Sequence, residues 1–147
     1  MAVRQQATSL GLPIFLFGHS LGGLVTATSV VLSLVGISGV VLSSPALPAP
    51  MSGFGQGAIR LIGTVIPSVQ IPKARTPLEK LFTDQEQIRL AEEDTLMYRG
   101  QISFSMASSA VEAGEKIWQS LDSWKAPTLV VHGTADVAAD VEQSKRL

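Results

Sequence analysis

The chain contains no cysteine. A disulfide scaffold and thiolate chemistry are therefore excluded, and the redox compartment is left open. Charge is also sparse: 16% of the 147 residues are Asp, Glu, Lys or Arg, and the net charge is −1. That balance gives no electrostatic reason to expect nucleic acid or an anionic surface as a partner. Only two histidines occur, His19 and His132. No histidine–carboxylate cluster has metal-ligand spacing, so neither a metal nor a cofactor is implied. Arg4 is followed by no signal-peptide core. Repeats, low-complexity tracts and phosphate-binding glycine loops are missing as well.

The longest absence runs from Gln5 to Ile59, where no Asp, Glu, Lys or Arg occurs. Within it, Leu21 to Leu42 is mostly apolar, and a hydropathy window flags it as a membrane span. A second reading is a buried helix running into a buried parallel strand, which needs no lipid. Gly36 and Gly39 interrupt the run, and Val40-Val41-Leu42 leads into Ser43-Ser44-Pro45, which favours the second reading. With 46% hydrophobic residues, the chain can build one domain with a real core.

What is present centres on Gly18-His19-Ser20-Leu21-Gly22-Gly23. The apolar run Pro13 to Phe17 before it suits a buried strand, with the strand itself over Ile14–Phe17. Leu21 to about Leu34 reads as a helix. Strand, Gly-x-Ser-x-Gly and helix form the context of a nucleophile elbow, which holds a serine hydroxyl clear of the backbone. Gly18 and Gly22 lack a Cβ, so strand and helix can approach closely around Ser20. The N–H of Leu21 falls at a helix N-terminus, where donors are unpaired and negative charge is favoured. It is a natural half of an oxyanion hole. The plainer alternative is a Gly/Ser turn that merely connects two elements.

Along the rest of the chain, Ala2 to Leu10 reads as the end of a helix and Ile37 to Ser43 as the next strand. Three prolines, Pro45, Pro48 and Pro50, then break regular structure. Gly57 to Ile66 has near-helical apolar spacing and suggests the lining of an acyl channel or plain core packing. Thr83-Asp84-Gln85-Glu86 has the form of a capping box with Thr83 as N-cap, opening a helix to about Glu93. Ala107 to Leu121 is amphipathic, and Thr128 to Val131 reads as a buried strand ending at His132-Gly133-Thr134-Ala135-Asp136. Asp140 to Leu147 begins a further helix, with Asp140 as its N-cap.

These residues resemble the α/β-hydrolase superfamily, and within it the monoacylglycerol lipase-like, or serine aminopeptidase-like, serine hydrolases. Leu12 to Gly23 is similar to that family's strand and elbow, and Val40 to Leu47 to its next strand and the loop into the cap. Glu93 to Gly100 is similar to the segment leaving the cap, and Pro127 to Asp136, with Asp140, Ser144 and Leu147, to the strand bearing the triad acid. The resemblance implies a partial α/β-hydrolase fold: a mostly parallel sheet, helices on both faces and a helical cap insertion. Residues 1–50 would be core with the elbow (Gly18, His19, Gly22, Gly23), 51–106 the cap, and 107–147 core with the acid strand. Ser20 would be the nucleophile, Leu21 N–H an oxyanion donor and Asp136 the triad acid. For Asp136 the plainer role is to cap its own turn.

The triad also needs a histidine, and neither histidine fits. His19 is expected to pack beneath the elbow, and His132 to be structural. The family's histidine follows one more strand, so the resemblance implies a fragment lacking the N-terminal strands and the C-terminal histidine segment. It further implies hydrolysis of a carboxylic ester of a single-chain lipid, such as a monoacylglycerol or lysophospholipid. The implied location is the cytoplasm, with peripheral membrane contact through the cap. The other readings are a non-catalytic α/β-hydrolase-fold binding or scaffold protein, and a small membrane protein anchored by Leu21–Leu42.

Overall fold

A computed structural model gives the fold of residues 9–32 and 36–147. Strand β1 (Phe15–His19) turns at once into helix α1 (Leu21–Val31), which returns to β2 (Gly39–Ser43). Helices α2 (Gly53–Val65), α3 (Leu78–Leu81), α4 (Gln85–Glu93) and α5 (Phe104–Gln119) follow. A 3₁₀ turn (Leu121–Ser123), β3 (Thr128–Val131) and α6 (Val141–Ser144) complete the order. The helix expected over 2–10 lies almost wholly outside the described residues.

The three strands form a parallel sheet in the order β1-β2-β3. β2 is central, pairing Phe15 with Gly39 through His19 with Ser43, and Val40 with Thr128 through Ser43 with Val131. Pairing therefore carries β1 two residues past its expected end. The apolar run 21–42 is divided between α1 and β2, and no helix among the described residues is long and apolar enough to cross a membrane.

Side-chain alternation explains where the core sits. Val40, Leu42 and Val130 point to one face, where α1 supplies Leu24 and Ala27 and α5 supplies Ile117. Each large apolar side chain buried there contributes about 1.5–3 kcal/mol. Helices on both faces were expected. Among the described residues, the helices that pack on the sheet share this one face, and Phe15, Phe17, Leu129 and Val131 stand exposed on the other.

The segment between β2 and α5 is anchored at its base. Ile71 N–H donates to Ile102 O (2.8 Å) and Phe104 N–H to Val69 O (3.0 Å), beside a bridge between Gln70 and Ser103. Trp118 Nε1–H donates to Pro48 O (2.8 Å), pinning the proline-rich connection to α5. α2 packs on α5 where Gly63 meets Ser108, and Arg60 pairs with Glu115. The N-cap of α4 is Asp84, not Thr83: its carboxylate accepts from Glu86 N–H (2.9 Å), one residue later than the capping-box reading. α5 begins at Phe104, capped by Ser103, three residues before the expected start.

Candidate active site

Ser20 is the single residue between β1 and α1, so the chain reverses there in one step. It does so at φ 51°, ψ −120°, a region essentially reserved for glycine. Such strain costs on the order of 1–3 kcal/mol and persists only where the surroundings over-determine it. Here four hydrogen bonds do so. Ser20 N–H donates to Ser43 O (3.0 Å), and Ser20 O accepts from Gly23 N–H (2.9 Å), Leu24 N–H (3.3 Å) and Ala46 N–H (2.9 Å).

Close approach is required at Gly18 and Gly23. A Cβ on Gly18 would lie 2.5 Å from Gly22 O and from Thr26 Oγ1, and one on Gly23 would lie 2.7 Å from Pro45 Cβ. Gly22 faces open space, which corrects the reading that paired it with Gly18. Leu21 N–H has no acceptor among the described residues, and it sits at the positive end of α1.

Asp136 lies in the loop after β3, at the carboxyl edge of the sheet. Its Oδ1 accepts from Ala138 N–H (2.8 Å) and Ala139 N–H (2.9 Å), and its Oδ2 is 3.4 Å from His132 Nε2. Its carboxyl titrates below the usual aspartate value. The Ala139 N–H is the largest cause, burial opposes it, and Ala138 N–H, the Ser44 hydroxyl and His132 add to the lowering. Asp136 thus fills the turn-capping role while presenting a carboxylate to a groove of about 480 Å³ that also borders Ser20, Ser44 and His19. Ser44, at φ 41°, is the second strained serine on this edge and was not singled out from sequence. Its register opposite Ser20 emerges only once β1 and β2 pair.

The histidines are placed differently from one another. His132 is internal, with 4% of its side chain exposed, as a structural residue should be. Its Nδ1 lies 2.7 Å from Ser144 Oγ, and its Nε2 3.1 Å from Ala139 O. His19 does not pack beneath the elbow. It is exposed on the open sheet face, with Nδ1 3.1 Å from Ser43 O and 3.2 Å from Ser43 Oγ. Asp140 caps α6, accepting from Glu142 N–H (3.0 Å) and Gln143 Nε2 (2.9 Å).

A second cavity, of about 570 Å³, opens beside Ser20 and Leu21. Leu24, Met106, Ala107 and Ala110 form its apolar wall, and Arg75, Thr76, Tyr98 and Gln101 its polar one. Residues 57–66, expected as a possible channel lining, contribute nothing to it; Gly63 of α2 packs on α5 instead.

A serine on a strained strand-to-helix turn, at the carboxyl edge of a parallel sheet, is the geometry characteristic of the α/β-hydrolase fold. The family described as serine aminopeptidase, S33 matches residues 1–147, and the chain belongs to that family. It is 26% identical to a monoglyceride lipase homolog of Monkeypox virus over 92% of its length, and 25% identical to monoglyceride lipase of Homo sapiens over 88%. It covers 49% and 43% of those proteins, so the chain spans about half the length of the curated relatives it matches. The crystal structure of a Paleococcus ferrophilus monoacylglycerol lipase superposes on 99% of the chain with a TM-score of 0.78 and 29% identity, over 56% of the archaeal chain. A soluble variant of Saccharomyces cerevisiae monoglyceride lipase, solved with a substrate analog, shares the fold at a TM-score of 0.74 and 20% identity, with 97% of this chain and 50% of that one covered.

Proposed function

We propose that this chain carries the nucleophile and the acid of a carboxylic-ester hydrolase that acts on a single-chain lipid ester through an acyl-enzyme on Ser20. Ser20 Oγ attacks the ester carbonyl while its proton passes to a histidine. Leu21 N–H donates to the oxyanion, and the alcohol leaves with that proton. Water then attacks the acyl-enzyme by the same route. Asp136 fixes the tautomer and orientation of the histidine. The histidine is neither His132, both of whose ring nitrogens are engaged, nor His19, whose Nδ1 lies against Ser43 on the exposed sheet face.

The observation that carries the reading is the strained Ser20, held by four hydrogen bonds and sharing one groove with Asp136. The apolar cavity beside it and the lipase relatives support an acyl chain, from a monoacylglycerol or lysophospholipid. Residues 51–106 are assigned as the cap between core segments 1–50 and 107–147. Phe54, Leu61 and Val65, exposed on one face of α2, suit peripheral contact with a cytoplasmic membrane surface.

The test is a graft of residues 1–147 in place of the matched part of the archaeal monoacylglycerol lipase. The chimera should hydrolyse monoacylglycerol, with Ser20→Ala abolishing turnover and Asp136→Asn reducing it by about 10⁴-fold. A folded chimera without activity, or one indifferent to Ser20→Ala, would favour the second reading, a non-catalytic binding protein. The commitment of both His132 nitrogens to Ser144 and Ala139, and the outward position of His19, are what keep that reading in view.

A further inference from the structure

We propose that the cavity beside Ser20 selects single-chain lipids bearing an anionic group, which the guanidinium of Arg75 receives. The inference deepens the ester-hydrolase reading and rests on it for the nature of the reacting lipid. The binding preference itself requires no catalysis.

Arg75 is half-buried, and among the described residues its guanidinium has neither an ion pair nor a hydrogen bond. Other arginines are spoken for: Arg99, which shares the adjoining cavity, donates to the carbonyls of Glu92 and Asp94, and elsewhere Arg60 pairs with Glu115 and Arg89 with Glu86 and Glu93. None of the Arg75 guanidinium nitrogens is enclosed, so the group stands as an unpaired, solvent-accessible donor fork open to an anion that enters the cavity.

The position is also built. Arg75 N–H donates to Gln101 Oε1 (2.8 Å), Gln101 N–H to Gln70 Oε1 (3.1 Å), and Gln70 Nε2 to Tyr98 Oη (3.2 Å). This relay ties the Arg75 backbone to the two segments bridged at Gln70 and Ser103. The polar wall it forms faces an apolar wall suited to an acyl chain, and no carboxylate lines the cavity to compete for the cation. Glu79 and Glu92 border an adjoining cavity of about 360 Å³, which Arg75 also touches, and Glu79 also lines the groove shared by Ser20 and Asp136; neither pairs with Arg75. A planar fork of donors is suited to bidentate binding of phosphate or carboxylate, where a neutral glycerol headgroup would leave it unsatisfied.

The anion has two sources, a headgroup phosphate or the carboxylate of a released fatty acid. Binding to the 147-residue chain is measured with hexadecyl-glycerol ether phosphate, palmitate and the neutral hexadecyl-glycerol ether, none of which can be hydrolysed. The chain should prefer one or both anions over the neutral ether by at least about tenfold, the size of one charge-assisted contact. Arg75→Gln should erase that preference while neutral-ether affinity stays unchanged, and Arg75→Lys should keep part of it. The stronger anion identifies the source. Equal affinity for all three, a preference that survives Arg75→Gln, or loss of the neutral ether with it would overturn the proposal. Because these arms need no Ser20 chemistry, an inactive chimera with the anion preference intact rejects the hydrolase reading alone.

Discussion

His132 Nε2 stands 3.4 Å from Asp136 Oδ2, yet this pair is not a catalytic couple. Nε2 also faces Ala139 O at 3.1 Å, which can only accept, so Nε2 carries the proton. Nδ1 is then left to accept from the Ser144 hydroxyl at 2.7 Å. The ring ties β3 to α6 and has no lone pair to spare for Ser20.

The first prediction follows from that arrangement. Residues 1–147 alone should hydrolyse p-nitrophenyl esters no faster than Ser20→Ala does, because a triad without its base loses several orders of magnitude. Steady-state turnover by the purified chain decides it. Robust activity abolished by Ser20→Ala would make one of the two histidines the base.

The elbow glycines should separate by their surroundings. Gly18→Ala and Gly23→Ala should each lower stability by about 1–3 kcal/mol, since the added methyl meets backbone or the Pro45 ring. Gly22→Ala should be neutral or stabilising by up to about 1 kcal/mol, because it gains helix propensity in open space. Chemical denaturation of the three variants gives the order. Equal losses at Gly22 and Gly23 would contradict the packing described.

Asp136 should make stability pH-dependent in a defined sense. Its folded pKa is depressed, so its contribution is complete above the unfolded value of about 3.9 and fades as pH falls toward the folded one. Asp136→Asn keeps an acceptor for Ala138 and Ala139 N–H but removes the charge, at about 1 kcal/mol. The gap between wild type and Asp136→Asn should be constant from about pH 5 to 8 and narrow below about pH 4. A gap that widened on acidification would reverse the assignment.

The open sheet face should be sticky. Phe15 and Phe17 are 66% and 69% exposed on the same face as Leu129 and Val131, with Val41 of the central strand between them, and such apolar surface promotes association. The chain should bind anilinonaphthalene sulfonate and self-associate, and Phe15→Ser with Phe17→Ser should reduce both. Dye binding unchanged in the double variant would locate the sticky surface elsewhere.

Much of this was legible in the sequence, for reasons that differ by element. The strand–turn–helix around Ser20 declared itself because a short apolar strand, two glycines around a serine and an apolar helix lie within one local stretch. β3, α5 and the Asp140 cap were equally local. The features that escaped depend on distant chain. Gly23 matters more than Gly22 because Pro45 returns against it, and no local pattern shows where Pro45 goes. His19 is exposed because its strand position turns it to the face that the described helices leave bare. Thr83 and Asp84 are both good caps, and only the backbone angles chose between them. Arg75 joins Ser20's cavity through pairing of segments around Gln70 and Ser103, more than thirty residues apart.

The strain at Ser20 also has a temporal consequence. Two of its four restraints, Ser43 O and Ala46 N–H, come from chain more than twenty residues further on. A peptide of strand, elbow and helix alone lacks them and should relax to ordinary backbone angles. The strained conformation is therefore created by long-range pairing, which forms late when loop closure must come first. As the chain emerges during synthesis, Ser20 reaches these angles only when β2 has docked beside β1. The strained turn is a clock for sheet assembly.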